Sequence, residues 1–335
     1  MSWEQQLVAV SSGAVSLKSA LMEHAARVRG MPIRRMDRRT IIVDSGQRKG
    51  LAFEQMNGPD SSVAGKLLCD HKEKARVLLD LAGLPTARSR SFSRSEVDVA
   101  WQYASTISGP VVTKPLTMSG GRGVTTGIES YEQLRKGFTA ALVARSRRRS
   151  RVLVEQQVTG EDFRIFVVDG DLVSATHRRR ASVIGDGRRT LAELIEAKNL
   201  DRSANPYLGA YPIPTEPRSL DRLQAAGLTL ESVPSPGTHV VLRSASNLSA
   251  GGDSIDVTEE VDPEFVELAR RAIEAIPGVE YGGVDIIARD ISGRPSGTDH
   301  VVSEVEFSPA PMAHFPWDGT PRDMAGRVLE RYLTS

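Results

Sequence analysis

Apolar residues first recur at helical spacing between Ala14 and Val28, at Val15, Leu17, Ala20, Leu21, Ala25 and Val28, and Gly30 closes that helix. Residues 40–43 read as a short strand. Asp70-His71-Lys72-Glu73-Lys74 opens the next helix, with Ala75, Val77, Leu78, Leu81 and Ala82 on its apolar side and Gly83 and Pro85 ending it. A loop rich in serine and arginine precedes a helix over 94–108, capped by Ser93 with Glu96 completing a capping box. Val111-Val112-Thr113-Lys114-Pro115 is a strand that empties into a glycine-rich loop. A helix over 130–144, begun by Ser130 with Gln133 three residues on, leads to a strand over 151–157. Residues 163–168 and 172–176 form a hairpin turned at Asp169-Gly170-Asp171.

The second half continues the alternation. A helix over 190–199 is followed by a proline-rich, polar excursion over 200–238, suited to covering a substrate, with a short helix at 220–226 inside it. Strands over 240–243, 284–288 and 301–306 are interleaved with a helix over 263–276, and a helix over 323–333 closes the chain. The pattern predicts an α/β (α+β) architecture: a small amino-terminal α/β lobe over 1–66, then two α+β subdomains over 67–160 and 161–335.

Composition narrows the function classes. The chain has 335 residues, 40% of them apolar, enough for a sizeable core in two or three subdomains. Forty-three basic against forty-two acidic residues leave a formal charge of +1, which argues against a dedicated nucleic-acid partner. The run Arg145-Ser146-Arg147-Arg148-Arg149-Ser150-Arg151 could meet polyanions, but without interleaved aromatics it reads as a solvated loop. No apolar run has the length of a membrane span, and the first residues lack a signal pattern, so a soluble cytoplasmic protein without a membrane partner is expected. The single cysteine, Cys69, reads as a small buried hydrophobe.

Candidate chemistry sits at both ends of this layout. Glycines in the loop after Lys114 let backbone N–H groups approach an anion while the ammonium supplies charge, which is a phosphate-handling pattern; a plain hairpin is the alternative. Lys72, in a first helical turn where the dipole disfavours a cation, is placed either for a ligand or as a solvated side chain. Asp285 interrupts an aliphatic strand, and Glu304 and Glu306, two apart on another, share a face. Oxygen donors of this kind suit Mg²⁺; a solvent-facing edge strand is the alternative for the two glutamates. Together the early lysines and late acids predict a magnesium-nucleotide cleft.

The stretch Arg243 to Thr258 (RSASNLSAGGDSIDVT) resembles the matching stretch of cyanophycin synthetases and bifunctional glutathione synthetases, two branches of the ATP-grasp superfamily of carboxylate-amine ligases. Gly227 to Pro234 is similar to the cyanophycin branch, and Glu304 to Ala310 with His314 and Pro316 to the glutathione branch. The resemblance runs from about Asp70 to Leu333 and implies an ATP-grasp fold whose subdomains sandwich a nucleotide. It implies phosphate contacts from Lys72 and Lys114, a mobile loop at Ser119, Gly120, Gly121, Arg122 and Gly123 on a lid subdomain, and an adenine hinge at Glu155, Gln156, Gln157 and Val158. Asp162 stands at the ribose position, Asp285, Glu304 and Glu306 at the metal positions, and Arg243 at that of an acylphosphate partner. Arg164, Asn247 and Ser249 are the further candidates for substrate, together with Arg243. Two departures stand out: Glu306 and Ser308 occupy positions where relatives usually have asparagine.

What this implies is ATP as cofactor with Mg²⁺, or Mn²⁺ as a substitute, and formation of an amide from a carboxylate and an amine through an acylphosphate. Amino acids or short peptides are the expected small-molecule substrates, and a homodimer stays open. The rivals are a nucleotide-binding protein without ligase activity, a kinase releasing a phosphorylated product and, more remotely, a nucleic-acid binder.

Overall fold

The computed structural model describes residues 3–46, 49–117, 123–144, 150–216, 219–297 and 299–333. Helix α1 (Trp3–Ser11), not anticipated from the sequence, packs on α2 (Leu17–Val28). The latter starts at Leu17 rather than Ala14 because the Ser16 side chain accepts the Ser19 N–H and caps it there. Against α2 lies an antiparallel sheet of β1 (Ile33–Arg35), β2 (Thr40–Val43) and β3 (Leu51–Glu54). A further unanticipated helix, α3 (Val63–Cys69), precedes α4 (Lys72–Leu81). The buried side of α4 is Ala75, Arg76 and Leu79, whereas Val77 and Leu81 are exposed. The expected apolar face was thus rotated, because a charged residue at 76 disguises the i, i+3, i+4 stripe that actually turns inward.

A four-stranded antiparallel sheet follows in the order β4 (Ser89–Ser93), β7 (Arg151–Gln156), β5 (Val111–Pro115), β6 (Thr125–Ile128). Helices α5 (Val97–Ala104) and α6 (Tyr131–Ala144) cover it, burying Ala100, Leu134 and Phe138 against Phe92, Val152 and Val154. Two expectations are corrected here. The serine- and arginine-rich loop contains β4, which pairs with β7 from Ser89 opposite Glu155 to Ser93 opposite Arg151. Ser93 therefore ends a strand instead of capping a helix; its N–H still donates to the Glu96 carboxylate at 2.6 Å, but the helix begins only at Val97. At α6 the box forms as expected, with the Ser130 hydroxyl accepting the Gln133 backbone N–H at 3.3 Å and the Gln133 side-chain Oε1 accepting the Ser130 N–H at 3.1 Å.

The central sheet is antiparallel throughout, in the order β12 (Asp253–Asp256), β9 (Asp171–Arg179), β8 (Glu161–Val168), β13 (Tyr281–Ala288), β14 (His300–Glu306). Ile165 and Val167 of β8 face one way, onto Phe265, Leu268 and Ile273 of α9 (Pro263–Glu274) and Leu79 of α4. Phe166 and Val168 face the other way, onto a second core with Leu21, Phe53 and, from α10 (Met324–Arg331), Val328 and Leu329. Burial on both faces is why these strands read as unbroken apolar runs. Asp169 (φ 54°) and Gly170 (φ 82°) are both left-handed, as a two-residue hairpin turn that matches strand twist requires.

Between β9 and β12 lies a smaller unit of β10 (Ser182–Ile184) paired with β11 (His239–Val241), α7 (Leu191–Ser203) and α8 (Asp221–Ala225). Leu191, Ile195, Leu223 and Leu242 form its core, so the proline-rich excursion is packed on residues of its own. Several ends shift by a few residues. The β11 strand stops at Val241 with Leu242 buried beyond it, α7 runs on to Ser203, and α10 begins at Met324 because Asp323 caps it through the Gly326 N–H at 2.9 Å. Among the described residues, no helix is long and apolar enough to cross a membrane.

Candidate functional site

A cavity of about 570 Å³ is lined by β5 and β7 on one side and by β13 and β14 on the other, within the size range of small-molecule sites. Its acidic end is set by strand register. Asp285 on β13 pairs directly with Glu304 on β14 and Gly283 pairs with Glu306. One carboxylate oxygen from each of Asp285, Glu304 and Glu306 lies within 4.8 Å of the others. Such crowding of acids needs cations nearby.

Those cations come from neighbouring strands and from α4. Arg164 stands opposite Asp285 on β8 and grips it through Nε at 2.6 Å and Nη2 at 2.8 Å, while Arg178 of β9 reaches the same carboxylate at 3.0 Å. Burial alone would raise the Asp285 carboxyl, but the two guanidiniums outweigh it and hold it below the usual carboxylate range. Glu304 is ion-paired with Lys72; burial would lower that lysine, yet the acids around it leave it raised. Among the described residues, Glu306 is ion-paired with the more distant Arg164 Nη2 alone, at 3.4 Å. Burial, with Glu304 and Asp285 adding to it, pushes the Glu306 carboxyl up despite that arginine.

At the other end Glu155 leaves β7 between two bases. Lys114 Nζ donates to its Oε1 at 2.7 Å and Arg76 Nη2 to its Oε2 at 2.6 Å. Burial would raise this carboxyl too, but Lys114 and Arg76 bring it below its ordinary value. The backbone beyond is pinned, Gln156 N–H to the Arg88 carbonyl at 2.8 Å and Gln157 N–H to the Pro110 carbonyl at 3.0 Å, and the Gln157 side chain accepts the Gly127 N–H at 2.6 Å. Ala87, Val112, Ile287 and Val301 give the cavity apolar walls on which a flat ring can rest. Asp162 accepts a hydrogen bond from Ser246 and lies 3.6 Å from Arg178.

Of the residues singled out from the sequence, the cavity brings together Lys72, Lys114, Glu155, Gln156, Gln157, Val158, Asp162, Arg243, Asn247, Asp285, Glu304 and Glu306. Ser119, Gly120, Gly121 and Arg122 lie outside the described residues. Gly123 does not line the cavity: it is left-handed (φ 72°) and tucked against α6, where an added Cβ would come within 2.6 Å of the Ala144 methyl. Two expectations are corrected. Arg164 does not present itself to a ligand; it is buried beneath the acids, which it holds in place. Ser249 lies exposed on the 3₁₀ turn Leu248–Ala250, outside the cavity lining, because it is Leu248 of that turn that packs inward.

Sequence reasoning missed Arg76, whose guanidinium also donates to the Ala87 carbonyl at 2.6 Å and the Ser303 carbonyl at 3.4 Å. The available signal was its spacing four residues after Lys72, on the inward stripe of α4. It also missed Lys18 of α2, which donates to the Ser308 carbonyl at 2.9 Å and hydroxyl at 2.8 Å behind the acid cluster. No local pattern marks that lysine.

The donor set fits a hard divalent cation: clustered carboxylate oxygens, one of them with its ionised form disfavoured by the others. It also fits a polyphosphate, since Lys72, Lys114, Arg178 and Arg243 line the same space.

Comparison with known proteins gives the following. Residues 71–164 match the family described as carbamoyl-phosphate synthase L chain, ATP binding domain. The chain is 36% identical over 312 residues to cyanophycin synthetase of Trichormus variabilis, covering 91% of this chain and 34% of that protein. It is 28% identical over 327 residues to the glutathione biosynthesis bifunctional protein GshAB of Desulfotalea psychrophila, covering 94% of this chain and 41% of that one. The crystal structure of a bifunctional glutathione synthetase from Pasteurella multocida superposes with a TM-score of 0.71 at 25% identity, over 96% of this chain and 45% of that one. The chain thus spans less than half the length of these relatives.

Proposed function

The chain belongs to the ATP-grasp superfamily, and from that premise we propose that it is an ATP-dependent, ADP-forming carboxylate-amine ligase. The observation that carries this reading is the convergence of Lys72, Lys114, Asp285, Glu304 and Glu306 on one cavity. A substrate carboxylate oxygen attacks the γ-phosphorus of ATP, the bond to the β-γ bridging oxygen breaks, and ADP leaves an acylphosphate behind. An amine then adds to the acyl carbon, loses its proton and expels inorganic phosphate, giving the amide.

The protein's contribution is position and charge. Lys72 and Lys114 offset the phosphate oxygens, Arg243 orients the acylphosphate, and Asn247 borders the acceptor side. Glu155 to Val158 seat the adenine between apolar walls, and Asp162 meets the ribose hydroxyls. Asp285, Glu304 and Glu306 would hold Mg²⁺, or Mn²⁺ in its place, which when bound neutralises charge developing on the transferred phosphoryl. The loop from Ser119 to Gly123 belongs in this reading as the cover that keeps water off the acylphosphate.

The division at residues 66 and 160, a cytoplasmic location, a dimeric assembly and amino acid or peptide substrates are parts of the same proposal. Names of relatives as cyanophycin synthetase and glutathione biosynthesis protein support the substrate class. The test is ATP-dependent phosphate release screened over pairs of amino acids, with the product weighed by mass spectrometry. A product lighter by one water than the sum of two substrates is expected. A stable phosphorylated product instead would replace the ligase with a kinase.

A further inference from the structure

Arg76 does not line the cavity, yet it bonds residues on both of its sides. From α4, which also carries Lys72, it bonds Glu155 on β7, the carbonyl of Ala87 between α4 and β4, and the carbonyl of Ser303, the residue before Glu304 on β14. It is buried, and a buried arginine needs a carboxylate as much as a buried carboxylate needs a base.

Charge bookkeeping gives the arrangement a purpose. A lone Lys114–Glu155 pair is neutral overall and offers an incoming phosphate a dipole rather than a charge. With Arg76 on the second carboxylate oxygen, two cations share one anion, and one positive charge is left over on the side that faces the cavity, at Lys114. We propose that Arg76 is a positioning residue for nucleotide binding: by neutralising Glu155 from behind, it keeps the Lys114 ammonium available to a phosphate and fixes the Glu155 carboxylate toward the adenine end. The proposal rests on the nucleotide-binding part of the reading above and assigns Arg76 no contact with substrate.

The test is a double-mutant cycle on Mg·ATP binding, measured by calorimetry on the full chain, with a thermal melt of each variant to confirm folding. Wild type, Arg76→Lys, Arg76→Met, Glu155→Gln and the double variant Arg76→Met/Glu155→Gln are compared. Arg76→Met is expected to weaken ATP binding by roughly tenfold or more, and Arg76→Lys, which keeps the charge, to recover most of that loss. Removing the anion should make the arginine dispensable, so the double variant is expected within about threefold of Glu155→Gln alone. A folded double variant that binds ATP tenfold or more weaker than Glu155→Gln would overturn the proposal, whether or not Arg76→Met alone is stable enough to measure. Failure of the wild type to bind Mg·ATP would instead overturn the nucleotide reading itself and this proposal with it.

Discussion

Glu155 and Glu306 line the same cavity and begin from the same intrinsic acidity, yet their surroundings drive them in opposite directions. Burial raises both. Glu155 sits between Lys114 and Arg76 and ends below the ordinary glutamate value, so it carries a settled negative charge. Glu306 shares its end of the cavity with two other acids, and although Arg164 and Lys72 pull it down, burial and those acids leave it above that value. A carboxylate that is closely paired organises what is already there, whereas one crowded by other acids gains from any cation brought near it. The Glu155 end is therefore closely ion-paired, while the Glu306 end keeps one carboxyl whose ionised form is disfavoured.

Perturbing each end should separate the two in a graded way. The largest effect is expected at Asp285→Ala, which strands Arg164 and Arg178 in the interior: a loss of about 3–5 kcal/mol in urea unfolding. A loss below 1 kcal/mol would mean that the metal end is not held by these pairs. Next comes Lys114→Ala, expected to lower ATP-dependent turnover by roughly a hundredfold or more while leaving the melting temperature within a few degrees. Wild-type turnover in that variant would contradict the phosphate assignment. Glu306→Gln should then stabilise the metal-free protein by about 1–2 kcal/mol and shrink the stabilisation that added Mg²⁺ confers. An unchanged Mg²⁺ response would remove Glu306 from the ligand set.

A pH-dependent effect, absent at neutral pH, sharpens the contrast from the cation side. Burial brings Lys18 down from 10.5 to about 8. Its folded-state value lies below the unfolded one, so the unfolded chain binds more protons between those limits and stability should rise with pH from about 8 to 10.5, by no more than about 1.4 kcal/mol per unit. Denaturation of Lys18→Met at pH 8, 9 and 10 should lack that rise; equal slopes in the two proteins would show that Lys18 does not titrate there.

Much of this was legible from the residues. The Lys114 strand, the β8–β9 hairpin and the acids on β13 and β14 declare themselves locally, through an apolar run, a left-handed Asp-Gly turn and charges inside aliphatic strands. What escaped is what depends on a partner far along the chain. Strand β4 has little apolar signal beyond Phe92 and is a strand because β7 is there to pair with it. Arg76 looked like surface because its carboxylate lies 79 residues away. Arg164 suggested a hand held out to substrate, but strand register turns it onto Asp285. Spacing reports faces; it does not report which distant charge meets a buried one.

The core on the outer face of the central sheet joins α2 and β3 to α10, nearly the whole chain apart. While the polypeptide is being synthesised, Leu21 and Phe53 leave the ribosome roughly 300 residues before Val328 and Leu329 can cover them, an interval on the order of 15 to 60 seconds at common translation rates. The amino-terminal lobe must spend that time with a greasy face uncovered, so slowing elongation near the end, or withholding chaperones, should reduce the soluble yield more than the same delay placed earlier.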